Sequence, residues 1–353
     1  MAIVAQTYRH VMGADTHARN NTVAIIDTST GAVIGSRSFP TTAAGLARAV
    51  RWGKKHDSEL LAVVEGIGSY GATLARAADQ AGLTVVEPST MPARQTGKDD
   101  GTDAIRIARS VLGVDDDKLR QPRLDDGERA ALRVVVAARD HMTRERTAAV
   151  NALTALVRRV RLGVEARHPL SCQQIGQIAR WRGREEPIDM VIARAEAIRL
   201  ATRVTALDDE LGDNINTMKR LLSVSPAAVL LDETGIGPVT AAVAYTAWSH
   251  AGRVRSEAGF AKLAGVCPIP ASSGNTVRHR LNRGGDRRLN QALHMAAITR
   301  MTHHPETRVY VQRRTEEGLT NKEIRRCVKR YLARRIYRAL NSASSAALTC
   351  TTT

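Results

Sequence analysis

The alternation of apolar and polar positions predicts strands only in the first third of the chain, and helical spacing takes over from about Asp125. Between Val11 and Phe39 three strands are expected. Met12-Gly13-Ala14-Asp15 leads into Thr22-Val23-Ala24-Ile25-Ile26-Asp27, the polar stretch Thr28 to Gly31 turns the chain, and Ala32-Val33-Ile34-Gly35 returns. A helix over 42–56 carries Leu46 and Val50. Leu60-Leu61-Ala62-Val63-Val64-Glu65 is a continuous apolar run closed by Gly66, which suits a strand buried on both faces. A helix near 69–81, a strand at Leu83 to Glu87 stopped by Pro88, and a helix to about Leu112 complete the region.

The order βββαβαβα is that of a ribonuclease-H-like α/β fold. It puts Asp15 on the first central strand, Glu65 at the end of its neighbour, and Asp100 and Asp103 on one face of the first turn of the last helix. Aspartates at a helix start also serve as caps and favour the dipole. Four carboxylates meeting at one point, however, raise one another's pKa unless cations neutralise them. Two Mg ions about 4 Å apart would fit such a set and serve phosphodiester chemistry. Asp99 is assigned to an outer position.

From 125 to 222 the segments Ala130 to Val160 and Met190 to Leu222 read as a long antiparallel helical, coiled-coil-like linker, with breaks near Pro169 and Pro187. A mostly helical domain follows over 224–341. Its turn Gly235-Ile236-Gly237-Pro238 opens onto a helix and resembles the helix-hairpin-helix element that holds a phosphate without reading sequence. In Pro268-Ile269-Pro270-Ala271-Ser272-Ser273-Gly274 the prolines forbid a helix and expose a serine on a loop. A cationic run with Arg278, Arg280, Arg283, Arg287 and Arg288 follows and suits phosphate. Further helices are expected near 287–300 and 320–340, with a disordered tail over 342–353.

Composition sharpens this picture. The net charge is +17, and Asn275 to Leu340 holds 17 Lys or Arg against 5 Asp or Glu. So localised a basic face is the electrostatic footprint of nucleic-acid binding. Aromatics are only 3%, which favours helices packed through small side chains. The four cysteines form no close pair, so neither a zinc site nor a disulfide framework is expected. No apolar run approaches the roughly 18 residues a bilayer needs, and no signal-peptide pattern opens the chain, so a cytoplasmic location without a membrane partner is expected.

Taken in order, Asp15-Thr16-His17, Val64-Glu65-Gly66, Lys98 to Ala104, Gly235 to Pro238 and Ser272-Ser273-Gly274 with its basic sequel resemble the DEDD transposases of bacterial insertion sequences. These are relatives of Piv-type invertases and are described as bridge-RNA-guided recombinases. The resemblance spans about Gly13 to Leu340. It implies a RuvC-like catalytic domain over 10–115 and a C-terminal transposase domain with a nucleophilic serine, Ser273, or Ser272 as fallback. It also implies Asp15, Glu65, Asp100 and Asp103 as Mg ligands, DNA at element ends and target as substrate, and a structured non-coding guide RNA as partner. Asp99 stands where the family often has a small hydroxyl residue, and Ala18 follows His17 where a lysine is common.

Nucleophile and metal ligands lie far apart in sequence, which suggests a homo-oligomer, a dimer or tetramer, sharing its sites in trans. A protein-only Piv-like invertase, a RuvC-like junction nuclease that activates water, and a non-catalytic nucleic-acid-binding protein are the competing readings.

Overall fold

The computed structural model describes residues 2–89, 100–124, 126–272 and 279–351. They form two compact units, 1–123 and 124–353. In the first, α1 (Val4–Thr7) precedes β1 (His10–Thr16), β2 (Asn20–Asp27), β3 (Val33–Pro40), α2 (Ala43–His56), β4 (Leu61–Val64), α3 (Ala72–Gln80), β5 (Val85–Val86) and α4 (Asp100–Arg109). The sheet order is β3-β2-β1-β4-β5, with β1 antiparallel to β2 and parallel to β4. This is the expected ribonuclease-H-like arrangement, and its central strand β1 is buried along its whole length.

Alternation along β1 assigns its two faces. Met12 and Ala14 join Leu46, Ala49, Val50 and Leu74 in a core under α2 and α3. Val11 joins Ile26, Leu61, Ile107 and Val111 in a second core under α4. The Thr42 hydroxyl caps α2 by accepting from the Gly45 N–H at 3.2 Å. In the β2–β3 turn, the Ser29 hydroxyl, then the Thr30 N–H and hydroxyl, hold the Asp27 carboxyl down to about 2. That turn is a local device, and the sequence marks it correctly.

The second unit begins with α5 (Gly127–Arg159), α6 (Cys172–Ala179) and α7 (Ile188–Ser223). Cross-links between α5 and α7 run in opposite senses: Asn214 donates to the Val135 carbonyl, Arg139 to that of Leu211, and Arg203 to Glu145. The pair is therefore antiparallel, as the spacing predicts. At one end Leu153, Val157, Ile178, Ala197 and Val204 form a separate small core with α6. At the other, Leu132, Val136, Met218 and Leu222 enter the main core of the C-terminal helices. The base of the helical linker is thus part of the C-terminal unit, where the sequence is read as two domains.

A 3-10 turn at Pro226–Asp232 leads to α8 (Pro238–Trp248), α9 (Glu257–Leu263), the short strands β6 (Ile269–Pro270) and β7 (His279–Arg280), α10 (Arg287–His303), α11 (Pro305–Glu316) and α12 (Asn321–Thr351). Every residue of α8 from Thr240 to Trp248 is buried, as befits a helix apolar all round. The expected disordered tail is a point of difference, because α12 continues as helix across Ser342 to Thr351. Ala and Ser support helix well enough for an already nucleated helix to propagate through them. The sequence also does not separate α11, because Pro305 acts as a first-turn residue of a new helix.

Candidate active site

Asp15 stands near the C-terminal end of β1, 8% exposed, and its placement follows from a glycine two residues before it. A Cβ on Gly13 would lie 2.2 Å from the Ala104 carbonyl oxygen, 2.5 Å from the Ala108 nitrogen and 2.8 Å from the Ala108 Cβ. Helix α4 therefore rests with its backbone directly on the strand. Asp100, Ala104 and Ala108 share one helical stripe at i, i+4 spacing, so the contact at Ala104 brings Asp100 one turn away to the level of Asp15.

His17 joins them. Its Nε2 lies 3.1 Å from Asp15 Oδ2 and 3.6 Å from Asp100 Oδ1. Asp15, His17 and Asp100 can each offer one ligand atom, and these atoms all lie within 4.8 Å of one another. Two hard carboxylate oxygens and an imidazole nitrogen fit a divalent cation such as Mg or Mn. The sequence reading uses His17 only as a family marker. The available signal is the Asp-x-His spacing, which puts both side chains on one face of an extended chain.

Glu65 and Asp103 are near neighbours outside that cluster. The Glu65 N–H donates to the Ala14 carbonyl at 3.2 Å, and the Thr16 hydroxyl donates to the Glu65 carbonyl at 3.0 Å. The backbone of Glu65 is thereby stitched to the strand beside Asp15, while its side chain is exposed. Gly66 follows in the left-handed region at φ +65°, and a Cβ on Gly71 would lie 2.2 Å from the Glu65 carbonyl oxygen. These two glycines hold the turn closed. Asp103 is largely buried, 13% exposed, and faces Arg106 Nη1 at 3.4 Å. The Arg106 guanidinium thus places a positive charge against one of these carboxylates.

In the second unit, β6 and β7 pair Ile269 with Arg280 and Pro270 with His279, so a short antiparallel stem brackets the serine segment. Ser272 is exposed. Ser273 and Arg278 lie outside the described residues, as do Lys98 and Asp99. Arg280, Arg283, Arg287 and Arg288 are exposed, and Arg288 is ion-paired with Asp140 at 2.5 Å.

The Gly-Gly-Asp in the middle of the basic run has a structural task that the charge pattern conceals. Gly285 sits at φ +97°, where a Cβ would come 2.4 Å from the Leu263 carbonyl oxygen. The Asp286 N–H donates to that same carbonyl at 2.7 Å, and its carboxylate caps α10 by accepting from the Leu289 N–H at 3.0 Å. Gly235 is likewise fixed by packing: at φ +85°, its Cβ would lie 2.8 Å from the Ala296 carbonyl oxygen. Arg300 backs the same turn, 3.3 Å from the Thr234 carbonyl and 3.4 Å from Glu233. Gly237 N-caps α8 and has open space around it.

Residues 12–161 match the model of DEDD transposases of the IS110 type, described as "Transposase", and residues 227–312 match the model described as "Transposase IS116/IS110/IS902 family". The chain belongs to the IS110 family of transposases. It is 31% identical over 126 residues to the "Insertion element IS110 uncharacterized 43.6 kDa protein" of Streptomyces coelicolor. That alignment covers 35% of this chain and 31% of the relative, so the chain spans about a third of the length of the curated relative it matches. The first IS110 match contains Asp15, His17, Glu65, Asp100 and Asp103. The second contains Gly235, Gly237, both serines and the arginines through Arg288. No described helix is long and apolar enough to cross a membrane.

Proposed function

We propose that this chain is the transposase of an insertion sequence, a DNA recombinase that cuts and rejoins strands through a phosphoserine intermediate and is directed by a structured non-coding RNA. The observation that carries the reading is the meeting of Asp15, His17 and Asp100 at the end of the central strand, within a chain of IS110 family. Asp15 and Asp100, with Glu65 and Asp103 from the adjoining turn and helix, would hold divalent metal, two Mg ions in the fullest form. When bound, such ions polarise a phosphodiester and stabilise the leaving oxygen.

The chain's own residues supply the rest. The Gly13 contact orients Asp100 towards Asp15, and the Thr16 and Gly71 contacts keep Glu65 beside them. A serine of the β6–β7 loop, Ser273 or failing it Ser272, attacks phosphorus through its oxygen, the P–O bond to the 3′ oxygen breaks, and the serine proton ends on that oxygen. A 3′ hydroxyl from the second DNA then displaces the serine, and no ATP is needed because the phosphodiester energy is kept in the ester. Arg280, Arg283 and Arg287 clamp neighbouring phosphates, and the turn at Gly235 and Gly237 receives another at the start of α8. The active form is a homo-oligomer, a dimer or tetramer.

The test is to incubate the purified protein with Mg, element-end DNA and the RNA transcribed from the adjoining non-coding sequence, and to resolve protein–DNA adducts on a denaturing gel. Ser273→Ala, Asp15→Ala and omission of the RNA should each abolish the adduct. An adduct without RNA would establish a protein-only invertase. Strand cleavage with no adduct, unaffected by Ser273→Ala, would establish a nuclease that uses water.

A further inference from the structure

Helices α11 and α12 leave a small pocket between them, closed at one end by Arg300 and His304 at the end of α10. Its volume is about 200 Å³, below the ~300–1,000 Å³ of sites for whole cofactors, so it has room for one ring system. Part of its wall is aromatic. Tyr310 and Tyr331 meet edge-on, with centroids 5.8 Å apart and planes at 88°. Tyr310 is held in place: the Arg313 guanidinium lies 5.5 Å from its centroid, and its hydroxyl engages the Cys327 thiol. Burial, then that thiol, pushes the hydroxyl up to about 12. Tyr331, by contrast, is 56% exposed and lines the pocket beside the buried Val328 and Leu332.

The polar lining is electrically balanced. Arg300 and Arg335 supply two positive charges. Glu233, which accepts from Arg335 Nε at 2.5 Å and lies 3.4 Å from Arg300, supplies one negative charge, and Glu306 on the exposed rim supplies the other. The surrounding segment is anything but balanced, since Asn275 to Leu340 holds 17 Lys or Arg against 5 Asp or Glu. A phosphate gains little inside such a pocket and much around it. The occupant that fits both is a neutral flat ring carried on a polyanion, which describes a nucleobase out of its stack. Arg300 suits the polar edge of that ring. It is only 7% exposed, yet its bonds to His304 Nε2, the Thr234 carbonyl and Glu233 are all long, at 3.2, 3.3 and 3.4 Å. A guanidinium has five donors, so these three contacts leave capacity for a ring nitrogen or oxygen. The same side chain ties the pocket to the Gly235 turn, where a Cβ would lie 3.0 Å from Arg300 Cγ.

We propose that the pocket between α11 and α12 binds a single unstacked nucleobase, its ring against Tyr331 and its polar edge towards Arg300, Arg335 and Glu306. The inference deepens the proposed function, in which the substrate is a nucleic acid and the neighbouring Gly235 turn receives a phosphate. It concerns the base alone, and so applies equally to a DNA and an RNA strand.

The experiment measures equilibrium binding of the full chain to short duplexes carrying one bulged 2-aminopurine, and to the same duplexes with an abasic bulge, each made as DNA and as RNA. The abasic bulge keeps the flexible backbone and its phosphates and removes only the ring. Stacking of one base on an aromatic side chain should make wild type bind the base-bearing bulge about 5- to 150-fold more tightly than the abasic one, and should quench the 2-aminopurine fluorescence. Tyr331→Ala should lose both the preference and the quenching, whereas Tyr331→Phe, which keeps the ring, should retain both. A preference in DNA and RNA alike is the expected result, and a preference in one alone would support the pocket and identify the strand it serves. Equal binding of the two bulges by wild type, in both nucleic acids, would overturn the proposal, and that outcome does not depend on any variant folding. A preference undiminished in Tyr331→Ala would overturn it as well. Because binding is read without catalysis, failure of the adduct assay alone would count against the recombinase reading and leave this one standing.

Discussion

Replacing Gly13 with alanine adds one methyl group where the backbone of α4 lies against β1, and its consequences can be worked through from distances. The new Cβ would meet the Ala104 carbonyl oxygen at 2.2 Å and the Ala108 nitrogen at 2.5 Å. Both are main-chain atoms of a helix and cannot rotate aside. Ordinary contact requires a retreat of at least about 1 Å, the scale at which misplacing a catalytic group costs roughly 100-fold in rate. Overpacking of this kind destabilises by about 1–3 kcal/mol, or several degrees of melting temperature for a unit of this size. Asp100 would withdraw from Asp15 and His17 together with the helix. Calorimetric melting, Mn titration followed by electron paramagnetic resonance, and the rate of adduct formation should all deteriorate together. Gly68→Ala is the control, because nothing lies within 4 Å of a Cβ there, and it should change stability by less than about 0.5 kcal/mol. Gly13→Ala with a melting temperature within about 1 °C of wild type and an unchanged Mn affinity would refute the argument that this contact sets the carboxylate geometry.

Three further predictions concern other parts of the molecule. His17→Ala should weaken Mn binding by about tenfold or more in the same titration while leaving the melting temperature of the metal-free protein nearly unchanged; undiminished binding would remove the imidazole from the site. Asp286→Ala removes the cap of α10 and should cost about 1 kcal/mol in denaturant unfolding, whereas Asp286→Asn should recover most of it. Burial, then Arg129 and Arg253, hold the His250 imidazole below its ordinary value of 6.5. The folded chain therefore binds fewer protons there than the unfolded one, and the associated stability is full above pH 6.5 and lost as pH falls below it towards the folded pKa. Thermal melts at pH 7.5 and 5.5 should show a smaller acid loss in His250→Gln than in wild type, and equal losses would exclude this residue as a cause.

Local pattern alone determines much of this protein. Strand order, the acidic first turn of α4, the α5–α7 hairpin and the Gly-x-Gly entry to α8 are all legible because each depends on periodicity, capping or turn chemistry within a few residues. Topology also brings Glu65 to the end of the sheet that holds Asp15, since β1 and β4 are parallel neighbours, but the cluster formed there is Asp15, His17 and Asp100. Tertiary structure decided the matters of proximity. His17 becomes part of the carboxylate cluster only because α4 settles on Gly13 from about ninety residues away. Gly285 and Asp286, which look like part of a cationic run, are the seal between α9 and α10. The linker helices end inside the C-terminal core because Leu132, Val136, Met218 and Leu222 bury their apolar surface there, which no spacing along the chain encodes. Arg37 on β3 and Arg48, Arg51, Lys54 and Lys55 on α2 line one groove only in the folded chain, because charge adds along the sequence but a surface is assembled in space.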